Sequence, residues 1–166
     1  MLFRSAASGM GRDIALRQSR DGFLVYGLDI DEIGLNETKK IASSDMRIMN
    51  CDVSNPQDVA KVFKDIDSSG MDIKNYVAAA GIGLYCKFEQ MTYEQMIKLI
   101  NVNLVGVLEP ARHALPRMKS GASMVFIASV QATHSLYEAT VYAATKGARS
   151  EEHTSELQSR QYLVCR

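Results

Sequence analysis

This chain is poor in the residues that mark special environments. Only three of its 166 residues are cysteine, and Cys51 and Cys86 stand at no spacing that metal sites use, which argues against a metal-stapled or disulfide framework. Neither sign of charge is in excess, with Lys+Arg at 19 and Asp+Glu at 19, so there is no electrostatic footprint for nucleic acid or an anionic membrane. No apolar run approaches the ~18 residues that span a bilayer. The N-terminus lacks the basic-then-apolar layout of a signal peptide, and the cytoplasm is the expected compartment, with reduced structural cysteines. Repeats, linkers and low-complexity stretches are also absent, and the length is in the single-domain range.

What is there is alternation. Helical signals cover Gly9 to Asp21, Asp31 to about Ser43, Pro56 to about Ser69, a long stretch from a Thr92 cap to about Lys119 that Pro110 is expected to kink, and Thr140 onward. Strand signals cover Phe23 to Leu28, Met46 to Cys51, Ile73 to Ala79 and Ala122 to Ala128. Such alternation specifies an α/β fold with a doubly wound parallel sheet.

Tyr142-Ala143-Ala144-Thr145-Lys146 places a phenol and an ammonium at i and i+4, one above the other on a helical face. An ammonium there favours the phenolate of a residue whose free pKa is near ~10, so the tyrosine can pass a proton to or from a carbonyl or alcohol oxygen. Such pairs are common on solvated helices, so the spacing alone is weak. The context is Val125-Phe126-Ile127-Ala128-Ser129, an apolar β-type run ending on a hydroxyl. It reads as a buried parallel strand, outside whose carboxyl end ligands gather.

Ser129 followed by Tyr142-x-x-x-Lys146 resembles the catalytic signature of the short-chain dehydrogenase/reductase family, and the likeness extends over residues 6–148. The resemblance implies a Rossmann-like domain and an NAD(P)-dependent interconversion of a secondary alcohol with a ketone or aldehyde by hydride transfer. It also implies the roles. Ser129 orients the substrate oxygen, Tyr142 is the acid/base, and Lys146 lowers the Tyr142 pKa and grips the nicotinamide ribose. Asn101-Val102-Asn103 is similar to the family's Asn-x-Asn pattern; Asn103 would hold a helix distortion and a water in the proton relay, while Asn101 is a polar contact or exposed. Tyr137 is a rival base that lacks a lysine four residues on. His134 near Ser129 suggests a serine hydrolase, but no Gly-x-Ser-x-Gly elbow surrounds that serine. Specificity is expected from His134, Leu136, Tyr137 and the loop Ala80 to Tyr85. The implied partner is a small alcohol or ketone; a homo-oligomer packed through the long helix and the catalytic helix is expected, with no nucleic acid, membrane or metal.

The cofactor side follows the same likeness. Ala6-Ala7-Ser8-Gly9-Met10-Gly11 is similar to the family's glycine turn, with Ser8, Gly9, Met10 and Gly11 near the pyrophosphate at a helix N-terminus, but Arg4 and Ser5 stand where Thr-Gly belongs. Asp29, with Ile30 beside it, ends a strand where a carboxylate accepts from the adenosine ribose 2′-OH and repels a 2′-phosphate. No Lys or Arg lies in Ala6 to Gly11 or directly after Asp29, so NAD is expected over NADP. Asp52-Val53 resembles the adenine contact, with a plain helix cap as the competing reading for Asp52. Ala79, Ala80 and Gly81 end a run in which Ala78 and Ala79 replace the family's two asparagines, whose hydrogen bonds must be absent or replaced.

The ends read differently. Arg149 to Ser159 matches one reading frame of a common sequencing adapter, and Leu2-Phe3-Arg4-Ser5 matches the opposite-strand end. Residues 1–5 and 149–166 are therefore expected to be foreign to a partial domain at 6–148. On that reading the fold is incomplete, lacking its first strand and its C-terminal strands. The alternative function is then a catalytically silent nucleotide-binding module or a nonfunctional gene fragment.

Overall fold

In a computed structural model, which describes residues 1–151, five strands form one parallel sheet. The segment 152–166, most of the C-terminal stretch read as foreign, lies outside the described residues. The strands are β1 (Leu2–Arg4), β2 (Val25–Asp29), β3 (Met46–Asn50), β4 (Asn75–Ala78) and β5 (Ser123–Phe126), in spatial order β3-β2-β1-β4-β5. The helices are α1 (Gly9–Arg20), α2 (Glu32–Ile41), α3 (Pro56–Ser68), α4 (Tyr93–Ile100), α5 (Gly106–Ala114) and α6 (Thr140–Glu151). Side chains alternate across the sheet with the strand period. Val25 and Val77 join Ala15 and Leu35 in one core, while Tyr26, Leu28, Tyr76 and Ala78 join Val59, Phe63 and Val107 in the other.

Local chemistry sets the helix starts. Asp31 accepts from Gly34 N at 3.1 Å, and Asn55 accepts from Gln57 N at 3.0 Å ahead of Pro56 at the first turn. Thr92 and Gln95 exchange bonds in a full capping box. The long helix expected from Thr92 to Lys119 is instead broken. A π-helical turn, Asn101–Val105, separates α4 from α5, and a 3₁₀ turn at Leu115–Arg117 follows. The break lies upstream of Pro110, at the turn that carries Asn103.

The expectation of a missing first strand is corrected. Leu2–Arg4 takes that central place, Leu2 pairing with Tyr26 on one side and Tyr76 on the other. Ladder bonds use backbone groups that any residue except proline supplies, so the identity of these side chains does not prevent the pairing.

The side chains do carry a cost. Arg4 and Arg149 are the two largest fully buried side chains. All three Arg4 guanidinium nitrogens lack a well-formed hydrogen bond. Burial lowers the Arg4 pKa, while the Tyr76 phenol beside it favours its charge. Ser5 sits at φ 63°, a left-handed conformation that costs an L-residue roughly 1–2 kcal/mol and glycine nothing. Ser5→Gly should therefore raise the unfolding free energy by about 1 kcal/mol. Arg4→Leu should raise it by about 2 kcal/mol by removing a buried cation whose desolvation outweighs the help of the Tyr76 phenol. Urea melts of both variants check this; destabilisation by Arg4→Leu would show that the guanidinium is satisfied.

Candidate functional site

The connection through α3 carries the chain from β3, at one edge, across to β4 on the far side of β1. The strand order thus reverses beside β1, and a crevice opens outside the carboxyl ends there. A cavity of about 800 Å³ occupies that crevice. Of the residues expected at the cofactor, Ser8, Asp29, Ile30, Asp52, Val53, Ala80 and Gly81 line it.

The glycine turn stands beside this cavity. A Cβ on Gly11 would overlap the Ser5 carbonyl oxygen, so only glycine fits there, and Gly9 takes φ 52°. Met10 is exposed, and Ala79 is half-buried one residue before the lining begins. The Asp29 carboxylate is held at the end of β2 by Ala7 N at 3.2 Å and Asp31 N at 3.1 Å. Asp52 accepts from Ser54 N at 2.9 Å and Ser54 Oγ at 2.7 Å, forming a tight turn; the helix cap itself is Asn55, not Asp52.

One wall was not anticipated. Tyr93, Glu94, Ile97, Lys98, Asn101 and Val102 line the cavity from α4 and the turn after it. Their i, i+4, i+8 spacing marks one helical face, a signal present in the sequence. Lys98 is the only cation among the described lining residues.

The catalytic candidates lie next to this cavity rather than in its lining. The Lys146 Nζ sits 5.5 Å from the Tyr142 ring centroid and donates to the Ile127 carbonyl at 3.2 Å, tying α6 to the end of β5. Burial, then Arg149, then Arg4 lower the Lys146 pKa to about 8. Asn103, fully buried in the π-helical turn, clasps the Ile82 backbone from both sides. It accepts from Ile82 N at 2.8 Å and donates to Ile82 O at 2.9 Å, and it also donates to Thr145 Oγ1 at 3.4 Å. Ile82 and Gly81 are thereby fixed against α6: a Cβ on Gly81 would meet Asn103 Oδ1 at 3.3 Å and Lys146 Nζ at 3.5 Å.

Ser129 stands on the neighbouring turn, Val130–Ala132, which packs on α6. Its Oγ accepts from Gln131 N at 3.2 Å, leaving its O–H to donate. The rival Tyr137 is largely exposed, and the His134 ring turns to Thr133 Oγ1 at 3.0 Å.

Arg149 reaches the backbone of the segment where two alanines stand in place of the family's asparagines. Arg149 donates to Ala78 O at 2.9 Å and to Ala80 O at 3.3 Å. That residue opens the segment read as foreign; it supports β4 through these bonds, while its charge disfavours the Lys146 ammonium. Among the described residues no three His, Cys, Asp or Glu side chains cluster as a metal site would need, and no helix is long and apolar enough to cross a membrane.

The comparisons agree with this geometry. A family model described as Enoyl-(Acyl carrier protein) reductase matches residues 5–152. An uncharacterized oxidoreductase of Staphylococcus aureus strain N315 is 30% identical over 149 residues, covering 86% of this chain and 63% of the relative. Two solved structures superpose on 98% of this chain. A glucose/ribitol dehydrogenase of the short-chain type from Brucella melitensis has a TM-score of 0.91, 27% identity and 70% of its own length covered. A 3-ketoacyl-ACP reductase from Sinorhizobium meliloti has a TM-score of 0.90, 26% identity and 68% of its length covered. The chain thus spans a little under two thirds of that curated relative. A parallel sheet with its crevice at the strand-order reversal, a Tyr142–Lys146 pair and a matched family model over nearly all the described residues show that the chain belongs to the short-chain dehydrogenase/reductase family of oxidoreductases.

Proposed function

We propose that this chain is the cofactor and acid/base portion of an NAD-dependent oxidoreductase that interconverts a secondary alcohol with a ketone or aldehyde. The observation that carries the reading is Gly81, which lines the nucleotide-sized cavity and at the same time abuts Lys146 and Asn103. One short loop therefore joins the cleft to the proton-handling residues. Asp29 and Asp52 offer the acceptors that a ribose hydroxyl and an adenine amine require, and the glycine turn offers the backbone N–H donors that a pyrophosphate requires. Only the Arg4-Ser5 position is a poor fit, because Ser5 stands at a glycine conformation.

A bound nicotinamide dinucleotide would supply the hydride carrier, and this chain's residues would do the rest. Tyr142 gives a proton to, or takes one from, the substrate oxygen. Ser129, whose O–H is left to donate, holds that oxygen. Lys146 keeps positive charge over the Tyr142 ring, and Asn103 keeps Ile82 and the π-helical turn in register with α6. The acidic Asp29 at the β2 end of the cavity, which would repel a 2′-phosphate, supports NAD over NADP. A cytoplasmic homo-oligomer, packed through α4–α5 and α6, accompanies this reading.

A second reading, a nucleotide-binding module without turnover, is favoured by Arg4 and Arg149. Both cations disfavour the charged form of Lys146, and a chain governed by them would form no NADH from any alcohol.

Three outcomes test these statements. In a full-length protein containing this segment, Tyr142→Phe should lower kcat by about a hundredfold or more with NAD binding retained; retained turnover would remove Tyr142 as acid/base. Asp29→Ser should narrow the preference for NAD over NADP by at least about tenfold in fluorescence titrations of the reduced cofactors, since it removes a charge facing a 2′-phosphate. Stability should also depend on pH through Lys146. Between pH 8 and 10.5 the folded chain has released a proton that the unfolded chain still holds, so folding gains stability as pH rises across that window. Lys146→Met should thus be more stable than the parent at pH 7, with the gap closing by pH 10.5 in thermal melts.

A further inference from the structure

The loop that leaves Gly81 does more than join the cleft to α6. Three residues past Ile82 the Tyr85 ring leans on the Tyr142 ring, with centroids 5.8 Å apart and planes tilted by 47°. The chain passes close beneath that ring: a Cβ on Gly83 would lie 2.9 Å from Tyr85 Cε2 and 3.1 Å from its hydroxyl. Just beyond, Cys86 N donates to Glu138 O at 3.1 Å, pinning the loop to the segment that leads into α6. Tyr85 still exposes 52% of its surface. One face of it contacts the acid/base residue and much of the rest is open.

The segment that follows Ser129 presents apolar groups to solvent. Val130, Leu136 and Tyr137 are exposed, while the hydroxyls among them are turned onto their own backbone. Thr133 Oγ1 donates to Val130 O at 3.2 Å and Ser135 Oγ to Leu136 O at 3.1 Å. His134 is occupied with Thr133. From Ile127 to Tyr137 there is no Asp, Glu, Lys or Arg. A polyol needs several aimed donors and acceptors; a flat apolar group needs an aromatic face and aliphatic edges.

We propose that Tyr85 is a specificity-determining residue of this site, an aromatic wall beside Tyr142 that selects ketones and alcohols bearing a flat apolar substituent next to the reacting carbon, over sugars and polyols. The proposal rests on the oxidoreductase reading above. The substituent lies along the Tyr85 ring, which brings the carbonyl or hydroxyl oxygen to Tyr142. Substrate size beyond that group is set by Val130, Leu136 and Tyr137.

The test uses this chain as it stands and needs no turnover. NADH binding is first titrated by cofactor fluorescence for the parent, Tyr85→Phe and Tyr85→Ala. Acetophenone and ribitol are then titrated into each NADH-loaded protein, with saturation-transfer NMR as the readout. The expected result is equal NADH affinity in all three and acetophenone binding in the parent. Acetophenone affinity should be kept within about twofold by Tyr85→Phe and lost at least about tenfold by Tyr85→Ala, with ribitol weaker than acetophenone in the parent. Acetophenone binding unchanged by Tyr85→Ala overturns the wall, and ribitol binding more tightly than acetophenone overturns the substrate class; both leave the cofactor reading standing. Absence of NADH binding by the parent overturns the oxidoreductase reading for this chain and the wall with it.

Discussion

Everything at the site depends on β1 being paired on both sides. Its three residues bridge β2 and β4, and without that bridge the α1–α2 half and the α3–α5 half have no common sheet. The reversal of strand order beside β1 opens the crevice, and the crevice collects the ends of β2, β3 and β4 at one place. Asp29, Asp52 and Ala80 come from three separate strand ends, and only the sheet makes them neighbours. The pairing is robust because it is a backbone property. The residues that make it are poorly suited in their side chains, as the buried Arg4 guanidinium and the left-handed Ser5 show.

A second constraint is the π-helical turn. One irregular turn in an otherwise regular helix aims Asn103 inward, and its amide satisfies both backbone groups of Ile82. The loop after β4 is thereby attached to the helix packed against α6. Gly81 and Ile82 are held by that attachment, which joins the crevice to the helix that carries Tyr142 and Lys146. π-Helical turns of this kind occur often at functional sites, where they re-aim a side chain at the cost of helix regularity.

Electrostatics sets the two chain-end arginines against the site. Arg149 donates to the Ala78 and Ala80 carbonyls, which supports β4, yet its charge adds to that of Arg4 in disfavouring the Lys146 ammonium. A residue that helps the fold can thus hinder the chemistry, since hydrogen bonding acts at contact distance and charge acts farther.

The sequence by itself determined the alternation of elements, the helix openings near Asp31 and Pro56, the cap at Thr92, and the Tyr142–Lys146 pair. These depend on periods and contacts within a few residues, which a linear pattern records. It also carried the α4 face of Tyr93, Ile97 and Asn101 as a helical stripe, although that stripe gains meaning only beside the cavity. Tertiary structure decided that Leu2–Arg4 would form the central strand, because backbone pairing is indifferent to most side chains and so leaves little trace in them. It decided that the long helix would break at Asn103 rather than at Pro110, because the break is held by Ile82, a partner distant in the chain. It also decided that Tyr85 would meet Tyr142 and that two arginines would crowd Lys146, since contacts between residues far apart in sequence arise only when the layers pack.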